Sequence, residues 1–570
     1  MYKWIKSYDD SRPIHYEADI YAETVNMYSR MYPPIEEMID FANDKSKKKP
    51  LILCEYVHAM GNGPGNIKEY VDTFYKYETL QGGFVWEWAN HGLSKKDDET
   101  GDEFFAYGGD FGDVPNDGNF VMDGVLFSDH TPNPGLIEYK KAIEPVKVVS
   151  HTQEKITIMN RYDFITLDHL EATYTILDEG KATSQKGSIE IPKGINPGQT
   201  VELSVLEKPL SRDLLSGEGV VQIVFRQRDE TAALPAGHEI AFEEYTLSTP
   251  PHVPVPSTGK LTIHETPTLI TIESAAVSWT FSPVHGDIRS FKKNGTELLA
   301  TSPTVTFYRA PTDNDFPQDA VDWNQHLLHL ATSRTRSTSW GTPDGDDGDK
   351  FVVQVQQRHA PPVLAWAIDL DITYTFQASG SVSIRVKGVP KGDNLPRTLP
   401  RIGLSFELPS TWAGSTEEGT KNAVTWYGRG PGESYVDKKL SQRLGEYSVA
   451  SVDELWTDYE YPQEGSNRTD TRWVRFTNRE SGEAITAQFV DSTTSSDRRR
   501  KLFDFNASHY RIPDVEAAKH SHELRKKKTE NVVLRLDAVH HGLGSGSCGP
   551  RTRDEYALLT APFEFEVLLS

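Results

Sequence analysis

The hydrophobic pattern changes character about a quarter of the way along the chain. From Pro50 the run LILCEY is short and apolar up to its glutamate, the pattern of a strand covered on both faces of a parallel sheet. A glycine-rich turn, HAMGNGPGN, follows. Then comes IKEYVDTFYKYETL, in which Ile67, Tyr70, Val71, Phe74 and Tyr77 recur at helical spacing. GGFVWEWAN supplies a second apolar strand. Strand, loop, helix and strand in this order predict a βαβ unit. Its polar chemistry is expected at the C-terminal ends of the strands, the active face of barrels and open parallel sheets.

Beyond residue 145 the period becomes two. KITIMNRYDF, TVELSVL, GVVQIVFRQRD and KLTIHETPTLITIES alternate between Gly, Pro and Asn turns, as antiparallel sandwiches do. The proline-rich, uncharged stretch PPHVPVPSTG at 250–259 is the sharpest composition break and predicts a boundary. After it SVSIRVKGV, RWVRFTN, AITAQFV and FEFEVLL continue the all-β pattern to the end. The polar insert SWGTPDGDDGDK near 340–350 predicts an exposed loop; its acidic cluster lacks the spacing and closing glutamate of a calcium loop.

Composition narrows the function. At 570 residues the chain predicts several domains. A net charge of −23 disfavours nucleic acid and anionic membrane surfaces as partners. No apolar run approaches the roughly 20 residues of a membrane helix. Two cysteines, Cys54 and Cys548, allow at most one bridge, so a reducing, cytoplasmic setting is expected. Triplets for N-glycosylation at Asn294, Asn467 and Asn506 leave secretion open.

The candidate chemistry gathers at the two strand ends. Glu55 closes LILC and is followed by Tyr56 and His58. It reads either as a nucleophile held between apolar walls and polar neighbours or as a carboxylate paired with an arginine. His58 reads either as a contact for a substrate hydroxyl or as a satisfied structural histidine. The Trp–Glu–Trp of FVWEW either closes a core or forms an apolar platform of the kind on which sugar C–H faces stack.

LILCEYVHAMGNGPGNIKEYVDTFYKYETLQGGFVWEWANHGL and FFAYGGDFGDVPNDGNFVMDGVLFSDHTPNPGLIEYKK closely resemble glycoside hydrolase family two, in particular its large lacZ-type β-galactosidases. The likeness runs on through FYRAPTDNDF, WYGRGPGESYVDKK, GSNRTDTRWVRF and HHGLGSGSCGP, and the last is closer to the fungal branch. It implies a multidomain α/β plus all-β fold. Residues 1–145 are then the second half of a TIM barrel, 146–255 an immunoglobulin-like sandwich, and 256–570 a β-supersandwich of the β-galactosidase small-chain type. It implies Glu55 as nucleophile towards a β-galactoside, Tyr28 beside it, His58 on galactose hydroxyls and Trp86 under the sugar. Phe120, through its carbonyl, and Asp123, where the family usually has asparagine, are implied as sodium ligands. Cys548 is implied on the aglycone side, with a small buried hydrophobe as its other reading.

A retaining glycosidase needs a second carboxylate as acid and base. In the family that glutamate and the magnesium ligands lie upstream of the matched region, and no Gly-Asn-Glu motif precedes Glu55. The expectation is therefore a piece of a longer enzyme, or a chain completed by an N-terminal partner. The alternative is a non-catalytic carbohydrate-binding or assembly subunit. Glu87 and Glu17 are weaker candidates for the missing acid. Family members commonly assemble as tetramers, which implies a homo-oligomer.

Overall fold

The computed structural model describes residues 1–207, 215–248, 259–343, 347–415, 422–491 and 500–570. Most of the expected break at 250–259, and the centre of the acidic insert at 344–346, fall outside the described residues.

A short helix α1 (Tyr2–Tyr8) precedes strand β1 (Tyr28–Met31), helix α2 (Ile35–Asn43), strand β2 (Leu51–Tyr56), helix α3 (Ile67–Lys76) and strand β3 (Leu80–Val85). The three strands form one parallel sheet in the order β1-β2-β3. The expected βαβ unit is therefore present, with Ile67, Tyr70 and Val71 of α3 buried against the sheet. Half of an eight-stranded barrel would bring four such strands, and the described sheet has three. LILCEY was expected to be covered on both faces. Only the helix side is closed, by Leu51, Leu53 and Tyr56 packing on α2 and α3, while Ile52, Cys54 and Glu55 stay half-buried. A hairpin of β4 (Leu93–Lys96) and β5 (Glu103–Ala106) and a helix α4 (Pro134–Ala142) complete this part.

The period-two segments form strands as their pattern predicts. Residues 146–248 build a three-stranded and a four-stranded antiparallel sheet around Ile156, Ile158, Val221, Ile223 and Phe225. From Thr262 onward two five-stranded sheets and one ten-stranded sheet share a core that includes the buried Trp279, Trp323, Trp412 and Trp426. The acidic insert connects the adjacent strands Thr332–Gly341 and Lys350–Ala360. No helix among the described residues is long and apolar enough to cross a membrane.

Candidate active site

Strict alternation along β2 would put Glu55 on the same face as Leu51 and Leu53, inside the helix-side core. The pairing with β1 prevents this. Tyr28, Ser29 and Arg30 pair in turn with Leu51, Ile52 and Leu53, but Met31 pairs with Glu55, so Cys54 is an extra residue in the ladder. One extra residue reverses the faces beyond it. Tyr56 consequently takes the core position, against Tyr70 and Phe74, and Glu55 is released to the open face.

The end of β1 separates two tyrosines. Tyr28, expected beside Glu55, precedes the shift and packs edge-on against Phe41 at 5.0 Å, with the Lys47 ammonium 4.8 Å from its ring centre. Tyr32 follows it. Its backbone N–H donates to the Glu55 carbonyl at 2.9 Å, and its phenol stands next to the Glu55 carboxylate. Burial, and then the neighbouring Glu55 carboxylate, push the Tyr32 phenol well above its ordinary pKa, so it stays a proton donor. The tyrosine beside the carboxylate is thus Tyr32 rather than Tyr28.

Trp86 and Trp88 lie just past the end of β3 and are 39 % and 67 % exposed, so neither closes a core. The Trp86 indole N–H donates to Asp123 Oδ2 at 3.0 Å. Asp123 is held by a short parallel pairing of 87–90 with 123–126, in which Glu87 N–H donates to the Asp123 carbonyl at 2.9 Å. His58 is 1 % exposed, with Nε2 3.4 Å from Asp123 Oδ2 and its ring 5.3 Å from that of Phe120. Asp123 Oδ1 is buried without a hydrogen-bond partner, and so is His58 Nε2. Glu87 lies 3.2 Å from His91; burial and then the charge of Asp123 push its carboxyl up.

The loop 58–66 that carries His58 is clasped by residues far away in the chain. Asp437 and Lys438, Gln463 and Glu464, Asp313 and Asn314, and the 541–549 turn all reach it. Gly65 N–H donates to the Gly544 carbonyl at 2.8 Å, and a Cβ on Gly65 would stand 2.8 Å from the Gly544 nitrogen, an approach only glycine permits. Asn62 donates to the Glu464 carbonyl at 2.7 Å and accepts from Lys438 Nζ at 2.6 Å. Asp313 takes hydrogen bonds from Asn119 at 2.8 Å and Gln463 at 2.7 Å, while burial pushes its carboxyl up to about 6. Cys548 is half-buried, and burial followed by the charges of Glu55 and Asp123 pushes its thiol up.

Glu55, His58, Trp86, Asp123, Phe120 and Cys548 thus gather around one opening, while Tyr28 lies on the other side of the sheet. Sequence reasoning missed Tyr32, Asp313, Asn314, Gln463 and Ser547. For Asp313, Asn314 and Ser547 the one local signal is that FYRAPTDNDF and HHGLGSGSCGP interrupt the two-residue alternation with a density of polar side chains that a solvated turn does not need.

The family model described as glycosyl hydrolases family 2, TIM barrel domain, matches residues 1–148. Those for β-galactosidase domain 4 and the β-galactosidase small chain match 156–248 and 273–569. The chain is 36 % identical to a β-galactosidase of Kluyveromyces lactis, over 99 % of this chain and 52 % of that protein. It is 31 % identical to one of an Arthrobacter species, over 98 % and 55 %, and 30 % identical to one of Photobacterium profundum, over 100 % and 54 %. The chain spans about half the length of the curated relatives it matches. With all three of its structural parts matched in order, the chain belongs to the β-galactosidases of glycoside hydrolase family two.

Proposed function

We propose that this chain carries the nucleophile side of a retaining β-galactosidase site. Glu55 attacks the anomeric carbon of a terminal, non-reducing β-D-galactose and holds the sugar as a covalent ester. The observation that carries this reading is the register shift that frees Glu55 from the helix-side core and sets it against the Tyr32 phenol. Tyr32 stabilises the carboxylate when it is displaced in the second step. Trp86 offers a flat apolar face to the sugar, and His58 and Asp123 offer buried polar atoms to its hydroxyls.

The orphaned Asp123 Oδ1 fits a cation, and Asp123 with the Phe120 carbonyl would hold sodium. Such an ion, when bound, polarises and orients a sugar hydroxyl. For magnesium, the described residues bring together no group of three or more His, Cys, Asp or Glu side chains that could hold the ion. No step is assigned to it.

Leaving-group departure needs an acid roughly 5–5.5 Å from the nucleophile. Glu87 is engaged with Asp123 and His91, and Tyr32, Cys54 and Cys548 are among the groups that feel the charge of Glu55. The sheet presents exposed Met31, Phe84 and Trp88 around this opening. These features support an acid supplied by further polypeptide covering the open face, whether part of a longer chain or a separate one.

The test uses a leaving group that needs no proton. A 2-deoxy-2-fluoro-galactoside of dinitrophenol should ester-label this chain on Glu55, as peptide mass mapping reads, and Glu55→Gln should not be labelled. Labelling at another carboxylate refutes the assignment. Galactose binding with no labelling supports the non-catalytic binding subunit instead.

A further inference from the structure

His58 makes its hydrogen bond to a residue of the C-terminal part of the chain, and the atoms behind that residue determine which way the hydrogen points. His58 Nδ1 lies 2.8 Å from Ser547 Oγ, and Ser547 Oγ lies 2.8 Å from Asn314 Oδ1. The Asn314 amide is assigned at both ends without reference to the ring. Its Nδ2 lies 3.3 Å from the Met60 carbonyl and 3.3 Å from the Asn62 carbonyl, which only accept. Its Oδ1 takes the backbone N–H of Ser547 at 3.3 Å, which only donates. Gly63 makes room for this amide, since a Cβ there would stand 2.5 Å from Asn314 Nδ2.

The Ser547 hydroxyl has one hydrogen, and its contact with the Asn314 oxygen is repulsive unless that hydrogen lies between them. The hydrogen is therefore committed to Asn314. What Ser547 turns to His58 is a lone pair, and Nδ1 must be the donor. On the other side of the ring Nε2 makes no hydrogen bond: Asp123 Oδ2, at 3.4 Å, lies outside hydrogen-bond geometry for a hydrogen on Nε2 and itself accepts from Trp86 at 3.0 Å.

We infer that Ser547 and Asn314 are positioning residues that fix His58 as its Nδ1–H tautomer and leave the Nε2 lone pair facing the opening beside Asp123. A neutral imidazole takes its tautomer from the hydrogen bond made by the other nitrogen, and here that bond is set from a part of the chain almost 490 residues away. Nε2 is then built to accept from a hydroxyl rather than to donate to one. That the hydroxyl belongs to a galactoside rests on the function proposed above; the tautomer does not.

The experiment is nitrogen-15 NMR of the full chain with labelled histidine, recorded without sugar, with the His58 signals identified by their loss in His58→Gln. The expected wild-type spectrum shows a protonated, pyrrole-type Nδ1 and a pyridine-type Nε2. Ser547→Ala removes the acceptor, and Asn314→Leu frees the serine hydrogen to point at Nδ1, so both should move the ring to the Nε2–H form. Ser547→Thr should keep the wild-type pattern. A wild-type ring protonated on Nε2, alone or on both nitrogens, overturns the inference, and so do unchanged His58 signals in both Ser547→Ala and Asn314→Leu. The Asn314 variant decides the matter where the alanine variant does not fold. Because no sugar is present, the result stands whether or not Glu55 is labelled by the fluorosugar.

Discussion

Replacing Lys438 by methionine tests whether the clasp on the 58–66 loop is held by a buried charge pair. Lys438 Nζ lies 2.8 Å from Glu433 Oε1, and both side chains are essentially inaccessible. Glu433 also accepts from the Tyr459 hydroxyl at 2.5 Å and the Ser466 N–H at 2.8 Å, while Lys438 donates to Asn62 Oδ1 at 2.6 Å. Burial opposes the charge on Glu433, but Lys438 and these donors outweigh it and hold the carboxyl below its usual range. Removing one partner of such a pair costs about 3–5 kcal/mol, because the other is left buried and uncompensated. Spread over a cooperative unit of about 300 residues, that lowers the melting temperature by roughly 5–8 °C. Lys438→Met with Glu433→Gln should lose only about 1–3 kcal/mol, for the hydrogen bonds alone. The sign of the pH dependence is also fixed. In Lys438→Met the folded-state pKa of Glu433 rises above its unfolded value, so the variant is least impaired in acid and loses stability as pH rises through the raised pKa. Scanning calorimetry of wild type, both single variants and the double variant at acid and neutral pH measures all of this. A Lys438→Met defect that is the same at both pH values, and that Glu433→Gln does not relieve, would refute the pair as the source of the clasp's strength.

Two further outcomes follow from buried groups. His359, on the strand Lys350–Ala360, lies 3.1 Å from Ser333 Oγ, and burial pushes its pKa from 6.5 down to about 4. The unfolded chain takes up this proton from about pH 6.5 downward while the folded one refuses it until about pH 4. Between pH 7 and pH 4.5 the wild type should therefore lose about 2–3 kcal/mol more than His359→Gln in denaturant titrations, and parallel losses count against the burial. Sodium at Asp123 should change Trp86 emission through their shared hydrogen bond. The sodium-dependent change should vanish in Asp123→Ala and in Trp86→Phe; a wild type whose emission ignores sodium removes the ion from the reading.

Local periodicity was enough to find the βαβ unit, because Ile67, Tyr70 and Val71 bury one helical face against strands whose apolar runs are unbroken. It was not enough to orient what the strands carry. In NMYSRMY the two tyrosines sit four residues apart, and a period of two gives both the same face. Tyr32 parts from Tyr28 because it lies past the end of β1 in the left-handed region, at φ +48°, while the extra Cys54 in the partner strand turns Glu55 to the open face beside it. A register shift is a property of a pair of strands, so no single stretch of sequence carries it. The clasp was hidden for a related reason. Asn314 and Ser547 look like ordinary turn residues until the fold brings Met60, Asn62 and His58 against them. Buried polar groups must be satisfied, and each of these is satisfied by a partner more than 200 residues away. The residues that make the site chemically specific are thus the ones whose meaning depends on long-range pairing. The glycine-rich loop between Glu55 and α3 owes its geometry to the C-terminal sheets as much as to its own glycines.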